Sequence, residues 1–337
     1  MILSIESSCD DTALAITRID DHALLHHTKL SQEIEHARYG GVVPELASRL
    51  HATALPRLLE SARPWLADLR AVAITTQPGL AVTLNEGLMM AKTLAVFQRL
   101  PLIPVHHLKG HIYSLFIDKP TRFPLLVILI SGGHTMVVRA RAIDDMEILA
   151  TSMDDSVGEA FDKTAKMMGL GYPGGPIIEK LARDGDETRF DLPVPLRNSP
   201  LIAFSLSGLK NAVRLVIEKL GGPDAMSEQD RRDLAASFQL AITRHLIQKS
   251  KKLFAAEPIP DVALVGGASA NLYLRGAFEK LAAEYGKTLH VAPLEYCADN
   301  AAMIGRYGID AWRAALTEDP HTVTITPNRK LQQGGQL

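Results

Sequence analysis

One pattern occurs twice in this chain and constrains its fold more than any other: a short apolar strand, a polar turn, and a second strand. Ile2 to Ile5 is apolar apart from one serine, Glu6 to Asp11 is polar, and Thr12 to Ile16 resumes the strand. The pattern returns as Leu125 to Ile130, the turn Ser131-Gly132-Gly133-His134, and Thr135 to Val138. Apolar runs this short, bounded by polar and glycine turns, read as strands. Two hairpins of one design, each opening one half of the chain, predict a duplicated α/β architecture. A third strand-to-glycine transition runs from Val262 to Val265 into Gly266-Gly267-Ala268-Ser269-Ala270-Asn271. Helical patterns lie between: Pro44 suits a first helical turn ahead of Leu46, Leu50, Ala54 and Leu58, and Ser227 suits an N-cap ahead of Leu234, Phe238, Ile242 and Leu246. The stretch Gly169 to Pro176 reads as a loop.

At 337 residues the chain is long for one core, which predicts two lobes. Its 36 basic and 38 acidic residues leave a net charge of −2, without the basic excess expected of a dedicated nucleic-acid binder. Any RNA contact must then come from a local patch or a partner. The basic residues Lys249, Lys251 and Lys252, with Arg231 and Arg232, read as a solvated helix face. Cys9 and Cys297 are the only cysteines and make no disulfide framework, which points to a reducing compartment. The opening residues lack the basic region and long apolar run of a signal peptide, and Leu125 to Ile130 is too short to span a bilayer. A soluble, cytoplasmic protein without membrane contact is expected, with a frayed Gln- and Gly-rich stretch from Lys330 to Leu337.

The sharpest chemical signal is His106-His107-Leu108-Lys109-Gly110-His111. On a helix, His107 and His111 share one face, one turn apart, as a metal clamp requires. A third ligand has to come from elsewhere. Asp299 is the best acidic candidate, its competing role being a cap for a helix starting at Ala301. Leu108 occupies the place where a zinc protease of the H-E-x-x-H type carries its glutamate base, so peptide hydrolysis is disfavoured. The turn Ser131 to Thr135 offers backbone N–H groups and hydroxyls to an anion, though a plain hairpin turn is the simpler reading. Ser7-Ser8-Cys9-Asp10-Asp11-Thr12 supplies hydroxyls and carboxylates for positioning or proton transfer, against the alternative of a self-bonded turn. Cys9 reads as a buried thiol. Asp162 and Glu179 suit ribose hydroxyls, Gly174-Gly175 leaves room for a flat ring, and the Gly266–Asn271 segment suits a nucleotide resting on a helix start. Together these outline a nucleotide cleft between two lobes, by analogy with the actin-like, sugar-kinase and heat-shock ATPase superfold.

At this point the chain resembles, over nearly its whole length, the TsaD (YgjD) family of transfer-RNA threonylcarbamoyladenosine synthases. The matching segments are Ile5 to Asp10, Tyr39 to Arg49, His106 to His111, Ser131 to Thr135, Gly158 to Lys166, Tyr172 to Pro176, Phe204 to Lys210, Gly266 to Asn271 and Cys297 to Met303. Each is weak alone, and their order is specific. The resemblance implies metal ligation by His107, His111 and Asp299, with one divalent ion, iron (Fe2+) in the usual description and zinc or magnesium as other occupants. It implies a phosphate-side substrate loop at Leu129, Ile130, Ser131, Gly132 and Gly133. Asp162, Gly175, Glu179 and Asn271 match positions that hold the adenosine-like part of the substrate.

The implied reaction moves a threonylcarbamoyl group from threonylcarbamoyl-AMP to N6 of adenosine 37, in tRNAs reading codons that begin with A. The implied partners are a TsaB-like heterodimer subunit and a TsaE-like ATPase. Asp11 is expected to act as a base or to align the attacking amine. Two departures stand out: the family usually reads Asp-Glu-Thr where this chain has Asp10-Asp11-Thr12, and Gly-Pro-Gly where it has Gln77-Pro78-Gly79, a segment expected to pack between lobes. The expected division is an N-terminal lobe over 1–106, completed by a C-terminal helix within 300–330, a second lobe over 107–299, and a tail over 331–337. A kinase or ATPase of the same superfold and a nucleotide-binding scaffold are the competing readings; neither needs the histidine pair.

Overall fold

The computed structural model describes residues 1–328, 330 and 331. They form two compact units: Met1–Phe123 with Ala142–Met146 and the described residues from Ala292 on, and Pro124–Arg141 with Glu147–Val291.

The first unit begins with β1 (Ile2–Glu6), β2 (Asp11–Thr17), β3 (Leu24–Ser31), α1 (Glu33–Ala37) and α2 (Pro44–Ser61). It continues with β4 (Ala71–Gln77), α3 (Ala81–Gln98), β5 (Leu102–His106) and α4 (His107–Tyr113). The second contains β6 (Leu125–Ile130), β7 (Thr135–Ala140), β8 (Met146–Thr151), α5 (Val157–Met167), α6 (Gly174–Ala182), α7 (Ser207–Lys219) and α8 (Glu228–Ala256). It ends with β9 (Asp261–Val265), α9 (Leu272–Glu284) and β10 (Thr288–Val291), after which α10 (Ala301–Arg313) belongs to the first unit.

The two sheets share one wiring. Their strand orders are β3-β2-β1-β4-β5 and β8-β7-β6-β9-β10. In each, the first strand pairs antiparallel with its hairpin partner and parallel with the strand on its other side. This is the duplication the two hairpins predicted. It also explains why β1 and β6 lack an alternating pattern: each is central and every residue of both is buried. β3 gave no clear strand signal because its residues, His26, His27, Thr28 and Lys29 among them, are only partly buried.

The expected helices form at α2, with Pro44 in its first turn, and at α8. Ser227 and Asp230 close a capping box at the start of α8, whose Leu234, Phe238, Ile242 and Leu246 are buried. Other expectations need correction. The first unit runs to Phe123 rather than to residue 106, and it resumes at Ala292 rather than at 300. The cause is α10, which packs against α4, so the histidine helix and Asp299 both fall in the first unit. The Gly169–Pro176 loop gives way to α6 at Gly174. After Gly266 comes a 3-10 turn, Gly267–Ala270, and the helix proper starts only after Asn271. Gly79 of the Gln-Pro-Gly segment lies against Ser8 of its own unit, where a Cβ would stand 2.6 Å from the Ser8 carbonyl oxygen. Leu331, assigned to the frayed tail, is 3% exposed; residues 332–337 of that tail lie outside the described residues. Among the described residues, no helix is long and apolar enough to cross a membrane.

Candidate metal centre

The histidine pair sits on α4 because β5 ends at His106 and the chain turns directly into the helix. The His106 side chain caps it by accepting from the Leu108 N–H. Leu108 faces the core at 1% exposure, which leaves the other face to His107 and His111. Their rings meet edge-on, with centroids 4.6 Å apart. Gly110, between them, faces α10, and a Cβ there would come within 2.8 Å of Ile304 Cδ1. On α10, Gly305 similarly abuts Ser4 and Thr17. The Ser4 hydroxyl donates to the Ala301 carbonyl at 2.7 Å and fixes the start of α10 over the sheet.

That docking delivers Asp299. The competing role, helix cap, goes to its neighbour: Asn300 accepts from the Met303 N–H at 2.9 Å. The Asp299 carboxylate turns to the histidines, with Oδ1 3.3 Å from His107 Nε2 and 3.2 Å from His111 Nε2. One donor atom from each of the three residues lies within 4.8 Å of the others.

Three observations fit this set to a divalent cation. His111 is fully buried, and neither ring nitrogen has a hydrogen-bond partner among the described residues. A buried polar atom left unpaired is costly, and a metal bond would satisfy Nε2. His107 Nδ1 lies 3.1 Å from Glu6 Oε2 and 3.2 Å from Ser8 Oγ, so a proton held there leaves the Nε2 lone pair for a metal. The charges agree as well. Burial opposes a charge on His107, but Asp299 and Glu6 outweigh it and hold its pKa well above the ordinary value. Burial likewise opposes ionisation of Glu6 and Asp299, but the attraction to His107 holds both below theirs. Two carboxylates facing one titrating imidazole is the balance that a dication restores on displacing the proton.

Glu6 is the residue that motif reading passed over. It ends the buried strand β1 at 0% exposure, accepts from the Ser8 N–H at 2.7 Å and the Thr75 hydroxyl at 2.6 Å, and orients His107. A carboxylate closing an otherwise uncharged buried strand was the available signal. Replacing it by glutamine keeps the shape and removes the charge. Glu6→Gln is expected to weaken metal binding about 10–100-fold, the usual cost of losing a partner behind a ligating histidine. Titration against a chelator measures this, and unchanged affinity would remove Glu6 from the centre.

Asp11 stands at the start of β2. Burial first, and the Asp299 carboxylate beside it, push its pKa up to about 7, while Lys29 pulls it down. Oδ2 accepts from Lys29 Nζ at 2.6 Å; Oδ1 is buried without a hydrogen-bond partner among the described residues. Burial and the Asp10 carboxylate push the Cys9 thiol well above its ordinary value, so it is no thiolate at neutral pH.

The remaining predicted residues gather in the second unit. Leu129 and Ile130 end β6, and Ser131 to Gly133 form the turn to β7, where Ser131 Oγ accepts from the His134 N–H at 3.1 Å. Gly158 lets α5 press on that turn, since a Cβ would stand 2.7 Å from the Gly132 Cα. Further along α5, Asp162 accepts from the Gly174 N–H at 2.7 Å. On α6, Glu179 accepts from the Leu272 N–H at 3.0 Å. Asn271 caps α9 and donates to Gln239 at 2.8 Å. The structure thus links the turn, Asp162, Glu179 and Asn271 through contacts among α5, α6 and α9. Around Gly132, Gly133 and Gly175 the space a Cβ would fill is open. Gln239 is a further polar member that the helical pattern of α8 hid.

The basic residues of α8 are largely engaged within the fold. Lys249 is buried and donates to the carbonyls of Leu196, Ser199 and Leu201. Lys251 pairs with Glu284, Arg232 with Glu228, and Arg231 donates to the carbonyls of Pro223 and Met226.

Comparison with known proteins places these features in a family. The family model described as tRNA N6-adenosine threonylcarbamoyltransferase matches residues 23–306. A relative of that name from Sulfurovum sp. (strain NBC37-1) is 68% identical over 337 residues, covering 100% of both chains. Another, from Helicobacter pylori (strain J99), is 55% identical over 339 residues, covering 98% of this chain and 99% of the relative. Among solved structures, full-length HypF in its phosphate- and nucleotide-bound form aligns with a TM-score of 0.62 at 14% identity, over 93% of this chain and 46% of that one. Component A of the Acidaminococcus fermentans (R)-2-hydroxyglutaryl-CoA dehydratase aligns with a TM-score of 0.54 at 15% identity, over 93% and 98% of the two chains. At such identities the structural likeness establishes the fold alone, that of the actin-like, sugar-kinase and heat-shock ATPase class. The sequence relatives go further: the chain belongs to the TsaD family of tRNA N6-adenosine threonylcarbamoyltransferases.

Proposed function

We propose that this chain transfers the threonylcarbamoyl group of threonylcarbamoyl-AMP to N6 of adenosine 37 in tRNAs reading codons that begin with A, using a metal centre at His107, His111 and Asp299. The observation that carries this reading is the convergence of three ligand atoms within 4.8 Å, with His107 oriented from behind by Glu6. Two imidazoles and a carboxylate suit iron first and zinc next, and suit magnesium, which prefers all-oxygen shells, least. When bound, the ion supplies Lewis-acid polarisation of the donor's carbonyl group.

The chain's own residues supply the rest. The exocyclic amine of adenine is a weak nucleophile, so its alignment against an activated acyl donor dominates the barrier. The nitrogen attacks the carbamoyl carbon, a C–N bond forms, and the C–O bond to the AMP phosphate breaks. Asp11 takes the proton from the attacking nitrogen, its burial making it more basic than an ordinary carboxylate. The Leu129–Gly133 strand end and turn receive the adenylate phosphate, while Asp162, Gly175, Glu179 and Asn271 hold its adenosine.

The engagement of the α8 basic residues within the fold supports a tRNA interaction that depends on partners, a TsaB-like subunit and a TsaE-like ATPase, in the cytoplasm. The deciding experiment mixes the chain with such partners, threonylcarbamoyl-AMP and unmodified tRNA, and follows the modified nucleoside by mass spectrometry. Modified adenosine is expected only with a metal-loaded chain. Absence of product with every component present and the metal bound would overturn the reading.

A further inference from the structure

Lys29 carries no motif, yet it touches both functional parts of the first unit. β2 and β3 pair with Asp11 opposite Ser31 and Ala13 opposite Lys29. Asp11 and Lys29 are therefore diagonal neighbours on one face of the ribbon, within reach of a long side chain. Lys29 Nζ donates to Asp11 Oδ2 at 2.6 Å and to the backbone carbonyl of Asp299 at 3.1 Å. Small residues make the second contact reachable: Ala301 and Ala302, at the start of α10, pack on Ala13 and Ala15 of β2. One cation thus holds the side chain of Asp11 and the main chain of a metal ligand.

This meets the departure noted in the sequence. Asp11 stands where the family usually has the longer glutamate, so its reach has to be fixed by something else. With Oδ2 tied to Lys29, the carboxylate cannot turn freely, and Oδ1, buried without a partner among the described residues, keeps one direction. The side chains of the pair remain 28% and 14% exposed, so each keeps some access to water when the other is removed. The orientation of the pair, by contrast, bears directly on the group that takes the proton.

We propose that Lys29 is a positioning residue for acyl transfer: it fixes the shorter Asp11 carboxylate and ties it in register with the chain segment that carries Asp299. The proposal rests on Asp11 being the base, and the experiment separates the two. In the full complex with its partners, the wild type is compared with Lys29→Met, Lys29→Arg, Asp11→Asn and the double variant Asp11→Asn/Lys29→Met. The readouts are kcat, KM for tRNA, metal per chain after dialysis, and the unfolding midpoint.

Lys29→Met is expected to lower kcat about 10–100-fold, the scale of a small misplacement of a reacting group. KM, metal content and midpoint should match the wild type. Lys29→Arg should recover most of the rate, and the double variant should be no slower than Asp11→Asn alone. Wild-type kcat in Lys29→Met, loss of metal or of stability that accounts for the rate, or fully multiplicative losses in the double variant would each overturn the positioning role. Wild-type turnover in Asp11→Asn would instead overturn the base assignment, and the positioning role with it. If Lys29→Met does not fold, Lys29→Gln takes its place with the same outcomes.

Discussion

His111→Ala is expected to leave the chain folded, nearly free of bound metal, and slower in threonylcarbamoyl transfer by on the order of 10³-fold. The size follows from what the residue contributes. Residues that merely orient a metal ligand cost about 10–100-fold when removed. His111 offers a ring nitrogen directly, and among the described residues that nitrogen faces only the Asp299 carboxylate, 3.2 Å away. Two donors, His107 and Asp299, then remain, fewer than a mononuclear site needs to retain its ion. Stability should respond in the opposite sense from most core truncations. The ring is fully buried and its Nδ1 has no hydrogen-bond partner among the described residues, so alanine removes an unsatisfied polar group along with some packing. Metal analysis after dialysis, turnover and a denaturation curve test all three statements. Retention of a full equivalent of metal would exclude His111 as a ligand.

The second large effect lies outside the centre. Arg306, on α10, is 1% exposed. Its Nε donates to the carbonyls of Phe116 and Lys119 at 2.9 and 3.0 Å, Nη1 to Asp310 at 2.8 Å, and Nη2 to the Thr121 hydroxyl at 2.5 Å. The guanidinium also lies over the ring of Tyr113, the last residue of α4. A single planar fork therefore fastens α10 to the segment that follows the histidine helix. Arg306→Met fills much of the volume but leaves buried carbonyls without donors. Breaking a buried, paired charge costs about 3–5 kcal/mol, and the lower end is expected because Asp310, 21% exposed, can turn to water. A fall of that size in the unfolding free energy from urea curves, with weaker metal retention because Asp299 and His111 lose their common support, would confirm the clamp. An unchanged midpoint would show the guanidinium to be dispensable.

Much of this was legible from residue order. The paired hairpins announced two sheets of one wiring, since a buried central strand followed by a polar turn has few other fates. The His107 and His111 spacing defined a shared helix face. What local pattern could not supply was long-range closure. Asp299 is separated from His111 by the whole second unit, and only the packing of α10 on β1 and α4 brings it back. Glu6 and Lys29 were silent for the same reason: a lone charge on a strand looks like any polar position until the histidine or carboxylate it serves is in place. The glycine turn, the Asp162 and Glu179 pair and the Gly266–Asn271 segment of the second unit were outlined by residue type and matched by the resemblance, but their mutual links, Asp162 to Gly174 and Glu179 to Leu272, follow from tertiary packing.

The path of the chain has a consequence for how the enzyme is made. The first unit is discontinuous in sequence, and the Ser4 hydroxyl meets the Ala301 carbonyl across 297 positions. During translation the two histidines leave the ribosome early, followed by the second unit nearly in one piece, which can fold as it emerges. Asp299 and α10 come only afterwards. A nascent chain therefore holds an open pair of imidazoles for many seconds at about 5–20 residues per second. The carboxylate arrives late, so the three candidate donor atoms come together only once the first unit is rejoined.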